Sequence, residues 1–338
     1  MPRIDSFRQL PKVELHLHVP GSVRPATMRA LLVEEGLSAA LADGYTRATD
    51  GEGLTAYLTR LAAWNAVVWT PERLARVVAE LRADLAADGV VYAELRLRPP
   101  SEDDGHWDAL MEAAVAGAIQ GDGPTLRFID YVNRHWSPER AENEARRAAA
   151  WAGRGLVGFD VSGDESAYDA AHLVRAVRLA EDAGLAITAH AGEGAGAASV
   201  WAALDLFAPV RIAHGVRSVE DPWLVAELRD RAVHLEMALT SNVQTAAVAD
   251  LASHPFAALL REGLSVGLST DCRTLSGTTL SAEYEVIHAL GLLQADLARA
   301  TEHAAGAAFL SDEQRQSLLD LIRATWVLPM QALESGMS

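Results

Sequence analysis

Six residues of this chain are of kinds that bind metals or move protons, and each stands at or near the end of a short apolar segment. His16 and His18 lie in "KVELHLHVPGS", where Val13, Leu15 and Leu17 alternate with Glu14, His16 and His18. In an extended strand, side chains two apart point to the same side, so both imidazoles face one way just before a Pro-Gly turn. His190 and Glu193 close "LAITAHAGE", His214 stands in "VRIAHGV", and Asp271 ends "LSVGLSTD". For the His-x-His pair alone, two hydrogen-bonded core histidines are the plainer reading. With His190 and Asp271 at matching strand ends, a metal site becomes the stronger one. Three imidazoles and one carboxylate form a set that zinc accepts, and that iron or manganese also suits. A divalent cation there would lower the pKa of water from about 15.7 toward about 7, so hydrolysis is the chemistry expected.

Such convergence needs a scaffold that brings distant strand ends together. Eight short apolar or alternating segments recur, at 12–19, 90–98, 125–132, 155–163, 185–193, 210–216, 233–242 and 264–271. Helical patterns separate them, such as 71–89 and 170–184, the first opened by Pro71 and both closed by Gly. Alternating strands and helices predict an α/β fold, a (β/α)8 TIM barrel, whose chemistry sits at the carboxyl ends of the strands. No GxGxxG turn follows the first strand, which argues against a dinucleotide-binding sheet. Residues 22–70 are long for a strand-to-helix connection and carry helical stretches near 26–36 and 53–65, so an elaborated first loop is expected to lid the site. Residues 278–335 read as extra carboxyl-terminal helices, and the whole chain, 1–338, as one domain.

The 338 residues are half hydrophobic, enough for a sizeable core, with a formal net charge of −17. That balance argues against nucleic acid or an anionic membrane surface as a partner. Cys272 is the single cysteine, so no intramolecular disulfide can form and a reducing, cytoplasmic compartment is expected. The start, "MPRIDSFRQL", has no apolar core of a secretory leader, and no apolar run approaches the roughly 20 residues that span a bilayer. Oligomeric state is not readable from the sequence.

The motifs "LPKVELHLHVPGSVRP", "SGDE" (162–165), "HAGE" (190–193), "RIAHG" (211–215) and "STD" (269–271) together resemble the adenosine deaminase family of metal-dependent hydrolases, in order and spacing. The stretch 53–77 is similar to that family's lid helices and "VVYAELRLRP" to its second strand, so the likeness runs over about residues 7–330. It implies one catalytic zinc per subunit and hydrolytic removal of ammonia from an aminated ring. Position by position, it makes His16, His18, His190 and Asp271 the metal ligands and Glu193 the proton donor. His214 becomes the histidine beside the attacking water, and Gly163 the glycine whose backbone meets the substrate ring. The chemistry agrees: attack at the amino-bearing carbon pushes electrons onto a ring nitrogen, and a protonated Glu193 in an apolar wall can relieve that charge. Asp271 can ligate the metal and accept a proton from the water.

Two positions depart from the adenosine-specific pattern. Pro20 stands where an acidic residue contacts the sugar, and Cys272 where a second aspartate binds the purine's imidazole ring, followed by Arg273 in place of proline. A thiol is a weak donor and a weaker acceptor than a carboxylate. The expectation is retained chemistry with changed recognition: a substrate that is an aminated purine-like or other aminated heterocycle and is not adenosine itself. Arg98 and Arg273 are candidate readers of an anionic substrate group, as in aminodeoxyfutalosine; cleavage of another amide or imine C–N bond is the alternative. Glu94 and Arg96 read as a buried structural pair, His234 as structural, and His135 as a residue near the mouth or a packing residue. His106, His172, His254, His288 and His303 carry no functional signal.

Overall fold

In the computed structural model, residues 7–45, 48–64 and 67–334 are described. Eight strands form one parallel sheet in sequence order: β1 (Lys12–His18), β2 (Val90–Arg96), β3 (Thr125–Asn133), β4 (Leu156–Ser162), β5 (Ala186–Ala191), β6 (Arg211–His214), β7 (His234–Met237) and β8 (Val266–Leu268). The circle closes between β8 and β1, where Leu17 pairs with Asp271. His18 N–H donates to Asp271 O at 2.7 Å, and Asp271 N–H to His16 O at 2.8 Å. The expected TIM barrel is therefore present, and the closing contact already joins metal-candidate residues.

Local chemistry explains the elements. The helix Pro71–Ala87 starts with Thr70 capping Arg73 N–H and Pro71 in the first turn. It buries Leu74, Val77, Val78, Leu81 and Leu85, a single helical stripe. Gly89 ends it with φ +74, where an added Cβ would lie 2.3 Å from Arg8 O.

Most expected strands end a residue or more early, and three of these endings shape the mouth. β8 stops at Leu268, with Asp271 in the left-handed region at φ 57, and β6 stops where His214 takes φ 67. The segment 233–242, read as one strand, holds β7 and then a short helix, Leu239–Gln244. Apolar alternation continued across that boundary, but Asn242 N–H bonds Ala238 O at 2.8 Å in a helical turn. The turn carries Ser241 and Asn242 into the barrel mouth.

Helices α1 (Pro25–Glu34) and α2 (Leu54–Trp64) build the elaborated first connection, near the expected 26–36 and 53–65. Residues 46, 47, 65 and 66 of that connection lie outside the described residues, as do 1–6 of the amino-terminal segment. Buried tyrosines pin it down: the Tyr45 hydroxyl donates to Pro20 O, and Tyr57 Oη lies 2.8 Å from Ser276 Oγ. The expected carboxyl-terminal helices run from Leu280 to Glu334, and Trp326 Nε1 donates to Pro11 O at 2.9 Å beneath β1. At the amino ends of the strands Phe309 plugs the barrel; a Cβ on Gly158 would meet its ring at 2.7 Å. Among the described residues, no helix is long and apolar enough to cross a membrane.

Candidate active site

The six titratable residues converge at one mouth. His16 and His18 come from β1, His190 from the end of β5, Glu193 from the loop after it, His214 from the end of β6, and Asp271 from just beyond β8. His16 Nε2 and His18 Nε2 lie 3.3 Å apart, with Asp271 Oδ1 at 3.7 and 3.5 Å from them. The donor atoms of His16, His18 and Asp271 fall within 4.8 Å of one another, and so do those of His16, His190 and His214. His16 is shared by these two groups, and Glu193, His214 and Asp271 form a third, so the six residues interlock around one space.

The donor chemistry fits a divalent cation. His16 Nδ1 lies 3.4 Å from Glu236 Oε2, and His190 Nδ1 lies 2.9 Å from Asp160 Oδ2. Neither contact has hydrogen-bond geometry, but a carboxylate beside Nδ1 favours the ring proton there and leaves the Nε2 lone pair for a cation, the usual arrangement of a metal-bound histidine. Those carboxylates are held in turn by Arg96, whose Nε meets Asp160 at 2.7 Å and whose Nη2 meets Glu236 at 2.6 Å. Asp271 Oδ2 accepts from Ser241 Oγ at 2.6 Å. Burial holds the His16 and His18 imidazoles far below their usual pKa, which keeps them neutral as ligands must be.

Glu193 is buried among these groups, with Oε2 3.4 Å from His214 Nε2. Its carboxyl is pushed well above the usual range by burial first, then by the nearby Asp271 and Glu165 carboxylates. Its loop is clamped by Glu165, which accepts from the backbone N–H of Gly192 at 2.9 Å and of Glu193 and Gly194 at 2.6 Å each, and from Ser199 Oγ. In the sequence Glu165 stands only as part of the "SGDE" motif; its partners lie 27 to 34 residues away.

A cavity of about 470 Å³ opens on this cluster. Gly163 lines it at φ +104; a Cβ there would lie 2.3 Å from Asn133 Oδ1, so the bare backbone faces the opening. Leu54, Tyr57 and Leu58 of α2 also line it, and Thr55 Oγ1 donates to Asp164 Oδ2 at 3.0 Å, tying α2 to the residue after Gly163. Cys272 lines the cavity, with Sγ 3.5 Å from Asp271 Oδ1, and burial pushes its thiol well up, keeping it neutral. Arg98 also lines it, its guanidinium carbon 4.8 Å from the Trp136 ring centre, with Nε buried and lacking a hydrogen-bond partner. Arg140 stacks on the same indole at 4.3 Å, and His135 reaches the mouth beside it.

Two expected substrate contacts are not in the cavity wall. Arg273 turns to Asp88, with Nη1 3.2 Å from Oδ2, because Asp88 is a buried carboxylate needing a cation. Pro20 is buried in a turn under Tyr45. Glu94 and Arg96 are buried and structural but are not each other's partners: Glu94 pairs with Arg211 at 2.6 Å, while Arg96 serves Asp160 and Glu236. His234 lies at the amino end of β7, away from the mouth.

The profile of the adenosine deaminase family matches residues 11–325. The chain belongs to the adenosine deaminase family. An adenosine deaminase of Mycobacteroides abscessus is 36% identical over 342 residues, covering 93% of this chain and 94% of that protein. Among solved structures, an amidohydrolase from Burkholderia ambifaria with bound zinc superposes at a TM-score of 0.85 and 27% identity, over 98% of this chain and 93% of that one. The Arabidopsis N6-mAMP deaminase superposes at 0.84 and 26%, over 94% and 99%. This member of a metal-dependent family is therefore a hydrolytic deaminase, with six titratable groups gathered at its strand ends.

Proposed function

We propose that the protein is a zinc-dependent hydrolytic deaminase of an aminated purine-like heterocycle, and that adenosine itself is a poor substrate. The observation that carries the deaminase reading is Glu193: a buried, upshifted carboxyl 3.4 Å from His214, in the cavity where the imidazole and carboxylate donors converge. His16, His18, His190 and Asp271 would hold the metal, whose identity as zinc draws support from the zinc-bearing relative. Held by these four residues, a divalent cation would lower the pKa of a water so that hydroxide is available at neutral pH. Asp271 accepts the water's proton, His214 orients the attacking oxygen, and Glu193 delivers its proton to the ring nitrogen beside the carbon under attack. Gly163 lets the ring approach the backbone, and α2 excludes bulk solvent. The proton held by Asp271 then passes to the amino nitrogen, the new hydroxyl gives up its proton to restore Glu193, and ammonia leaves as the C=O bond forms.

Recognition of the remainder of the substrate rests on other residues. The neutral thiol of Cys272 replaces a charged acceptor, and Pro20 offers none, so hydrogen bonds that a nucleoside site needs are missing. Arg98 lines the cavity wall, where its charge also serves the buried Asp130 and Glu144 carboxylates, and it is the cation we assign to an anionic substituent such as a phosphate or carboxylate. The Arabidopsis relative's name, which denotes a nucleotide, fits this. The second reading, adenosine, is favoured by the 36% identity to a protein of that name. We take the whole chain as one deaminase domain, and the cytoplasm as its compartment because the lone Cys272 suits a reducing environment.

The deciding experiment measures ammonia release from adenosine, adenine, AMP, N6-methyl-AMP, aminopterins and aminopyrimidines, with metal content assayed on the same sample. A kcat/KM for adenosine in the ordinary range of about 10⁴–10⁸ M⁻¹s⁻¹ would overturn the substrate proposal. Zinc-loaded protein that releases ammonia from none of the panel would overturn the deaminase itself. An unchanged KM for AMP in Arg98→Ala would remove the anion reader.

A further inference from the structure

We propose that His254 and Asn242 are positioning residues: they hold His214 in one tautomer, with its proton on Nε2, so that His214 enters the reaction as a hydrogen-bond donor and not as a base. The inference rests on the deaminase reading for its functional consequence, but not for the tautomer.

A chain of hydrogen bonds with one possible polarity carries it. The backbone N–H of Phe256 can only donate, and it meets His254 Nδ1 at 3.2 Å. That ring nitrogen must therefore be bare. Burial brings the His254 imidazole down to about 3, so the ring is neutral and its single proton sits on Nε2. His254 Nε2–H in turn faces Asn242 Oδ1 at 3.2 Å. This orients the amide, whose Nδ2 lies 2.9 Å from His214 Nδ1. An amide nitrogen donates and cannot accept, so His214 Nδ1 accepts and its proton lies on Nε2, the atom 3.4 Å from Glu193. Reversing the amide would require His254 Nε2 to accept as well, leaving its ring proton on Nδ1, against the Phe256 N–H. All three side chains are buried, at 1% exposure for His214, 0% for Asn242 and 6% for His254, so water cannot substitute for a broken link.

The consequence is a division of labour. With its Nδ1 lone pair engaged by Asn242 and a proton on Nε2, His214 has no free lone pair toward the reacting oxygen. It can donate to that oxygen and to the alkoxide-like oxygen of the tetrahedral carbon. It cannot take the water's proton, which falls to Asp271.

The test uses zinc-loaded enzyme labelled with 15N-histidine. Long-range proton–nitrogen spectra should show His214 Nε2 protonated and Nδ1 bare; the reverse pattern overturns the proposal. Asn242→Asp places an acceptor at Nδ1 and should reverse the tautomer. It should also lower kcat for the fastest compound of the deamination panel by of the order of 10²-fold. KM and bound zinc should stay near the parent's. In a His214→Ala background, Asn242→Asp should have no further effect on kcat. His254→Gln, which keeps an N–H donor, should recover most of the activity that His254→Leu loses. An undiminished kcat in Asn242→Asp, or equal losses in the two His254 variants, overturns the proposal. If no panel compound is deaminated, the spectrum alone still decides the tautomer.

Discussion

The barrel presents a cavity at each end, and the larger of the two is at the end without the candidate chemistry. At the amino ends of the strands a space of about 1240 Å³ is lined by small and apolar residues together with Arg211, His234 and His303, and by Arg299, Glu302, Arg315 and Arg323. Each of those charges already has a near neighbour: Arg299 meets Asp296 at 3.0 Å, Arg323 meets Glu302 at 2.8 Å, and Arg315 pairs with Asp312. The carboxyl end offers about 470 Å³, but there imidazoles and carboxylates crowd together, and two polar residues hold left-handed backbones. Left-handed alanines also occur near the amino end, Ala208 and Ala232, but they carry no functional side chain. The difference lies in how far charge is left uncompensated, and volume does not measure it. Strain and incomplete pairing persist where the surrounding structure over-determines them, which is typical of sites that do work.

The sharpest test of that contrast removes one atom's function at the mouth. Asp271→Ala should lose both bound metal and activity. Glu193→Gln should keep the metal and the fold but lower kcat by about 10²–10⁴-fold, because the amide cannot deliver a proton. Metal analysis and single-turnover rates on both variants separate ligand from proton donor. The pH dependence follows from the same group. Glu193 acts protonated, and its pKa is raised, so its contribution is present below that raised pKa and is lost as pH climbs through it. A kcat/KM profile for a neutral substrate should therefore fall on the alkaline side. A profile flat from neutral to alkaline pH would show that another group donates the proton.

The layer between the two ends comes next in size of effect. Arg96 is fully buried and holds Asp160 and Glu236, which face His190 and His16. Arg96→Met leaves Asp160 without its buried guanidinium and Glu236 with Arg211 alone, and breaking such a pair costs about 3–5 kcal/mol. Loosening the carboxylates behind metal histidines typically costs about 10–100-fold in metal affinity. Denaturant melts of the metal-free protein, with zinc titrations beside them, should show both losses. An unchanged zinc affinity would mean the network carries stability alone.

This layer also marks where the sequence stopped being legible. The strands were readable because apolar runs bounded by glycine and turn residues mark them. The mouth residues were readable because six reactive types fell at strand ends. What could not be read were partners joined only by closure of the barrel: Arg96 lies 64 residues from Asp160 and 140 from Glu236. No local pattern distinguishes these from Glu94, which the same closure gives to Arg211. Arg273 failed for a related reason. Its place beside the mouth was right, but a buried Asp88, distant in sequence, takes its guanidinium. His254 carried no signal because its meaning comes from Asn242, in a turn that reads as strand.

The smallest expected effect tests the amino end itself. Arg299 lines the large cavity and pairs with Asp296 three residues before it on one helix, half-exposed. Solvent screens such a pair, and the long side chain loses rotamer freedom in making it, so exposed helix pairs contribute only about 0.3–0.5 kcal/mol. Arg299→Ala should therefore shift the denaturant midpoint barely and leave kcat, KM and zinc content at the parent's values. A substantial loss of turnover in this variant would mean that the amino-end cavity communicates with the mouth through Arg211 and Glu236, whose Nε and Oε1 lie 2.6 Å apart in the lumen. In that event the two ends could no longer be treated as a scaffold and a site.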